Sequence, residues 1–255
     1  MRIVVKIGTS TLTHKTGCLN IRCVENICKV LSDIKNSGHQ IILVSSGAIG
    51  MGVGKLSLKA KPTDIPTKQA AAAIGQCELM YTYDKMFAEY NCTIAQILIT
   101  AEDFSHSDRF QNFSNTVERL LEFNVLPIIN ENDSVSTSEI KFGDNDTLSA
   151  RVAKSIKADL LIILSDIDGL YTADPHTTSS AKLIKVVEKL TPEMLALGSG
   201  AGSELGTGGM KTKLEAAKIC TESGLDMVIT NGQNPTALYD ILDGKNVGTN
   251  FKAVK

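Results

Sequence analysis

The sequence predicts an α/β protein, a three-layer αβα sandwich built on an open, mostly parallel sheet. Three observations carry this. Short β-branched runs recur along the chain, apolar at consecutive positions as strands buried on both faces must be. Between them, apolar residues repeat at three- and four-residue spacing, the signature of a helix with one buried side. The two patterns alternate, and strands alternating with helices place helices on both faces of a parallel sheet.

Residues 3–7 form the first strand, which runs into the glycine turn Gly8-Thr9-Ser10. Ile21, Val24, Ile27, Cys28, Leu31 and Ile34 then recur at helical spacing up to Gly38. Residues 41–44 are a second buried strand, stopped by Ser45-Ser46-Gly47-Ala48-Ile49-Gly50. A helix is predicted from about residue 67 to 90, carrying Ala70, Ile74, Leu79 and Met86. Strand-like runs at 93–99, 125–129 and 160–164 have helices between them. A shorter strand near 183–187, a helix over about 209–223 and a strand at 227–230 complete the pattern. Residues 55–66 and the glycine-rich 198–209 are the least patterned, and each reads either as a mobile lid or as a plain surface loop.

At 255 residues the chain is near the upper limit for a single core, so one domain with two lobes is expected. Apolar content of 43% and charged content of 21% are ordinary for a globular protein. A net charge of −2, a pI near 6.1 and scattered Lys and Arg give no support to a nucleic-acid or membrane partner. No apolar run approaches the roughly 20 residues needed to cross a bilayer. Met1–Val5 lead straight into a strand, which leaves no room for a signal peptide. Cys18, Cys23, Cys28, Cys77, Cys92 and Cys220 contain no CxxC pair, and Cys23 and Cys28 lie in a helical pattern as small apolar residues. A reduced, cytoplasmic protein is expected.

The most informative stretch is 130–150, where Asn130-Glu131-Asn132-Asp133 and Asp144-Asn145-Asp146 end one strand and open a helix. Ligands bind at such carboxyl ends in open α/β sheets. Acids and amides this dense must pair with an ammonium, a metal or each other, or stay in water. They read as a site for a small, charged, amino-bearing substrate. Asp144-Asn145-Asp146 begins like a calcium loop, but the glycine and terminal Glu spacing are missing. The four histidines, His14, His39, His106 and His176, are dispersed and read as surface residues. No metal ligand set is predicted.

Lys6 lies inside a β-branched run, and a lysine there must be solvated, ion-paired or aimed at a ligand. With Gly8 following, it can reach a phosphate as a point charge; a structural ion pair is the other reading. The Ser45–Gly50 segment is either a tight turn or an anion-binding nest. Gly206-Thr207-Gly208-Gly209-Met210-Lys211-Thr212-Lys213 enters a helix with lysines in its first turn. That is the wrong end of a helix for cations unless an anion binds there; the alternative is a flexible loop with solvated lysines. It is not a Walker A loop, and no GxGxxG follows a strand. Asp168-Gly169, just after Ser165-Asp166, reads by itself as a hairpin turn. Two distant lysines, two glycine loops and an acid–amide cluster suit phosphoryl transfer from a nucleotide, which needs positioning and charge neutralisation more than covalent chemistry.

Taken together and in order, Val-Val-Lys6-Ile-Gly-Thr-Ser, Ser-Ser46-Gly-Ala-Ile, Ile-Asn-Glu-Asn-Asp133, Gly-Asp144-Asn145-Asp146, Leu-Tyr-Thr-Ala-Asp-Pro and Gly-Thr-Gly-Gly-Met-Lys-Thr-Lys213 resemble the amino-acid kinase family, over essentially the whole chain. The resemblance is to the branch that phosphorylates free glutamate. It implies an open eight-stranded αβα sandwich and the reaction ATP + L-glutamate → ADP + L-glutamyl 5-phosphate, the opening step of proline biosynthesis. It implies that Lys6 and Lys213 stabilise the transferring phosphoryl while Asp146 organises them. Ser46, Asp133 and Asn145 would bind glutamate, with Asp144 nearby. Lys6, Ser165, Asp166 and Thr207, Gly208, Gly209, Met210, Lys211, Thr212 and Lys213 would line the ATP site, with Mg²⁺ carried mainly by the phosphates. The lobe over about 1–150 would hold glutamate and that over about 151–255 ATP. Many members continue into a C-terminal PUA domain, whereas this chain stops just after Val247-Gly248-Thr249, so a form without that domain is expected. A homo-oligomer and inhibition by proline are further expectations of the resemblance. The aspartate-phosphorylating branch opens Lys-Phe-Gly-Gly-Thr, and Lys6-Ile7-Gly8-Thr9-Ser10 departs from it.

Overall fold

Consecutive apolar residues on the strands face opposite layers, and that alternation builds the molecule. The computed structural model describes residues 1–14, 18–60, 62–136, 145–175, 177–197 and 209–254. Strands β1 (Arg2–Ile7), β2 (Gln40–Ser45), β3 (Ile94–Ile99), β4 (Leu126–Glu131), β5 (Leu160–Ser165), β6 (Val186–Val187), β7 (Asp226–Asn231) and β8 (Thr249–Phe251) form one eight-stranded sheet. Its order is β3-β4-β2-β1-β5-β7-β8-β6, and β7–β8 is the antiparallel pair among parallel neighbours. The αβα architecture expected from the sequence is what the structure shows.

Ile3, Val5, Ile7, Ile41, Leu43 and Ile162 face one layer, packed against α2 (Ile21–Asn36) and α4 (Ile65–Ala88) through Val24, Ile27, Leu31, Leu79 and Tyr83. Val4, Ile42, Val44, Leu161 and Ile163 face the other, packed against α5 (Ser107–Glu122), α6 (Asn145–Ser155) and α8 (Met210–Glu222). By the period of two, Lys6 follows Val4 onto the α6–α8 side, at the carboxyl end of the central strand. Among the described residues the remaining α-helices are α1 (Thr9–Leu12), α3 (Ala48–Lys55), α7 (Pro192–Leu197) and α9 (Ala237–Leu242), with a 3-10 helix at Ala101–Ser105.

Several local expectations change. Ser45–Gly50 is a turn only at Ser46-Gly47, where Gly47 has φ 98°; α3 then begins at Ala48. Its sequence AIGMGVGK is poor for a helix, since each interior glycine costs about 1 kcal/mol relative to alanine. Packing reverses that preference. A Cβ on Gly52 would overlap the carbonyl of Ala71, and one on Gly75 that of Ala48, so α3 and α4 touch backbone to backbone. The helix read as starting near residue 67 starts at Ile65, where the Asp64 carboxylate accepts from the Thr67 N–H at 2.9 Å. The strand read at 183–187 shortens to two residues. Asp168-Gly169 is not a hairpin turn: Tyr171 pairs with Leu183 in an isolated antiparallel bridge, and Leu170 N–H donates instead to Thr249 Oγ at 2.8 Å. β8 has too few residues to show a pattern; it is recruited by β7 and β6.

Candidate active site

The chain leaves β1 for β2 on one side and returns to β5 on the other, so a crevice opens beyond the carboxyl end of β1. β1 brings Lys6 to it, β2 Ser45 and Ser46, β4 Asn130 and the segment after it, and β5 Ser165 and Asp166. The first turn of α6 brings Asn145 and Asp146, and that of α8 brings Thr212 and Lys213.

Asp146 is fully buried, with Lys6 and Lys213 nearly so. Its Oδ1 lies 2.7 Å from Lys6 Nζ and its Oδ2 3.2 Å from Lys213 Nζ. Thr212 Oγ1, with one proton to give, lies 2.9 Å from Oδ2 and 2.8 Å from the Gly209 carbonyl. Burial alone would raise the Asp146 pKa. The charges of Lys6 and Lys213, with the bonds from Lys6 and Thr212, outweigh it and hold the carboxyl down at about 2. Asp146 is therefore a permanent anion between two ammonium groups in a dry place, and two cations on one carboxylate are suited to an anionic ligand as well. Of the two readings open for Lys6, it is an ion-paired lysine that also stands at a strand end suited to a phosphate.

Beside the trio is a neutral patch. Asn145 Nδ2 donates to the Ser45 carbonyl at 2.8 Å and to Asn130 Oδ1 at 2.9 Å, with Ser46 Oγ at 3.1 Å. Among the described residues no group donates to Asn145 Oδ1. A cavity of about 390 Å³ adjoins, lined by Ala48, Gln76, Glu131, Asn132, Asp133 and apolar residues of α4 and β3. Burial pushes the Asp133 carboxyl up to about 6. Another concavity, of about 410 Å³ around Met1, Arg2, Gly38 and Asp159, opens at the amino ends of the strands, away from all these groups.

The structure thus joins Lys6, Asp146 and Lys213 in one cluster, and joins Ser46 to Asn145 in another, with Asp133 on the adjoining cavity. Ser165 is buried and its hydroxyl donates to Asp166 at 3.1 Å. Gly209 caps α8, Met210 is half-buried and Lys211 is exposed. Asp144, Thr207 and Gly208 lie outside the described residues. Thr212, expected against the nucleotide, directs its hydroxyl to Asp146. Asn130, in the acid–amide cluster but given no role of its own by the sequence, is buried and central to the amide patch; Gln76, which binds it, was passed over. The only available signal for Gln76 was a polar residue within the alanine-rich run of α4.

Residues 1–231 match the model of the Amino acid kinase family, and the chain belongs to that family. Among curated proteins, it is 55% identical over 253 residues to the glutamate 5-kinase of Clostridium tetani, covering 99% of this chain and 95% of that one. It is 56% identical over 250 residues to the glutamate 5-kinase of Clostridium acetobutylicum, covering 98% and 94%. Among solved structures, carbamate kinase from Giardia lamblia bound to AMP-PNP superposes with a TM-score of 0.69 at 20% identity, over 99% of this chain and 98% of the other, which shows a shared fold. No helix among the described residues is long and apolar enough to cross a membrane.

Proposed function

We propose that this chain transfers the terminal phosphoryl group of ATP to the side-chain carboxylate of L-glutamate, forming ADP and L-glutamyl 5-phosphate at the start of proline biosynthesis. The observation that carries this is the buried Lys6–Asp146–Lys213 trio directly beside an amide patch and an acid-lined cavity. In the reaction a carboxylate oxygen bonds to the γ-phosphorus while the bridging P–O bond breaks and its electron pair leaves on ADP. The acceptor is already an anion at neutral pH, so no proton is removed and no general base is needed. Asp146, held at about 2, would be a poor base in any case. It sets the two ammonium groups in place.

Lys6 and Lys213 neutralise the charge spread over the transferring oxygens and the leaving phosphate, and Asn145, Ser46 and Asp133 hold glutamate. In this reading Asp133 meets the glutamate ammonium. Ser165, Asp166 and the first turn of α8 face the nucleotide, so, Lys6 and Asp146 apart, the chain before about residue 150 serves glutamate and the chain after it ATP. The protein groups proposed at the phosphates are cationic, which fits Mg²⁺ carried mainly by the nucleotide, where it would supply further charge neutralisation. The free cysteines fit a reducing cytoplasm.

The decisive assay incubates the protein with ATP, Mg²⁺ and each candidate acid and traps acyl phosphate with hydroxylamine. Hydroxamate from L-glutamate is expected. Product from N-acetylglutamate and none from free glutamate would overturn the assignment. Repeating the assay with proline, and measuring mass in solution by light scattering, tests the regulation and the homo-oligomer that belong to the same reading.

A further inference from the structure

Three amides run in a line from α4 to the substrate side of the crevice, and the backbone dictates which way each one points. The Glu131 N–H donates to Asn130 Oδ1 at 2.9 Å, so that atom must be oxygen. The Ser45 carbonyl can only accept, so the Asn145 atom 2.8 Å from it must be nitrogen, and the same nitrogen donates to Asn130 Oδ1 at 2.9 Å. The Asn130 amide nitrogen then faces Gln76 Oε1 at 2.8 Å. Asn130 is 2% exposed and Gln76 8% exposed, so the donor at Asn130 has no bulk water to turn to. Among the described residues Gln76 is the acceptor for that donor, and it also lines the cavity shared with Asp133.

The geometry points to Gln76 as a positioning residue for glutamate binding. By accepting from Asn130 it locks the Asn130 amide, which holds Asn145 with Nδ2 toward Ser45 and Oδ1 turned away from these partners, ready to accept from a substrate ammonium. Gln76 touches no reacting atom; it acts through Asn130 and Asn145. Without the acceptor, the Asn130 amide is left with a buried unpaired donor, and rotating to satisfy it withdraws the oxygen that Asn145 and Glu131 use. Gly75, next to Gln76 on α4, leaves no room for a Cβ against the Ala48 carbonyl, so α4 lies in backbone contact with α3 beside the amide line.

This inference rests on the glutamate-kinase reading, and two variants separate it from a packing role. Gln76→Met keeps the bulk and removes the acceptor. Gln76→Ala opens space continuous with the cavity, where a water can accept from Asn130. A positioning role expects KM for glutamate to rise about tenfold in Gln76→Met and clearly less in Gln76→Ala, with kcat within about threefold and KM for ATP unchanged. A packing role expects the reverse order, because the larger deletion leaves the larger void. Tyr83→Phe, seven residues along α4, is the control. Tyr83 Oη lies 2.9 Å from Ser45 Oγ, and Ser45 Oγ keeps its contact with the Ser46 carbonyl, so KM for glutamate should not move even if the melting temperature falls. Alanine worse than methionine, equal KM shifts for both substrates, or wild-type KM in Gln76→Met each overturn the inference. A wild-type protein inert toward glutamate overturns instead the functional reading beneath it.

Discussion

The two halves of the crevice solve opposite problems. On the side proposed for the phosphate, three charged groups, one acid and two ammonium groups, are held almost out of water, and their order comes from Coulomb attraction with one hydroxyl beside them. On the side proposed for glutamate the amide line is neutral, and its order comes from backbone groups that can only donate or only accept. Charge gives strength, which is what a transition state with developing anionic character needs. Amides of fixed sense give discrimination, because the wrong ligand leaves one of them unpaired. Changes on the first side should therefore appear in kcat and those on the second in KM for glutamate.

The sharpest way to break this division is Lys213→Ala. Removing one cation from a dry phosphate site should lower kcat by about a thousandfold, on the order of 4 kcal/mol, with circular dichroism unchanged. Near-normal turnover would remove Lys213 from the chemistry. Asn145→Ala should instead raise KM for glutamate about ten- to a hundredfold with a smaller loss in kcat, measured in the hydroxamate assay. A kcat loss as large as that of Lys213→Ala would show that the two sides are not separable.

Acid stability probes the charged side without mutation. The Asp146 carboxyl has a folded pKa of about 2, below its ordinary 3.8, so its ion pairs stabilise the fold above the ordinary value and that stability is lost as pH falls from there through about 2. The loss is on the order of 2–3 kcal/mol and should be absent in Asp146→Asn, read by denaturant melts over that range. Asp133 has the opposite sign. Its folded pKa is raised from 3.8 to about 6, so the charged form disfavours the fold and stability falls as pH rises between those values. The proposed function runs the other way, because in it the ionised form would meet the glutamate ammonium. KM for glutamate should rise several-fold as pH drops below about 6, and Asp133→Asn should flatten that rise while raising the melting temperature at neutral pH by a few degrees. A pH-independent KM in the wild type would detach Asp133 from the substrate.

Much of this was legible in the sequence, for reasons that lie within short windows. The β-branched runs of β1, β2 and β5 and the helical spacing of α2 announced a parallel sheet with covered faces, because side-chain period depends only on local backbone geometry. Lys6 was conspicuous because an ammonium cannot sit unpaired among Val and Ile, and the lysines of α8 because they occupy the positive end of a helix. Three features stayed hidden. α3 looked like a turn, since its glycines are favourable only once α4 lies against them. β8 exists because β7 offers it an edge. Gln76 was an unremarked polar residue until Asn130 was placed beside it.

The sequence by itself determined the class of fold and singled out the residue types and the stretch on which the proposed function rests, because these follow from periodicity and from the cost of burying charge. Only the tertiary structure decided that Lys6, Asp146 and Lys213 meet on one carboxylate, that Thr212 faces the acid, and that Gln76 stands behind Asn145. Those pairings join strand ends and helix turns far apart in the chain. Their geometry is set by sheet order and by two helices in backbone contact, neither of which any local window contains.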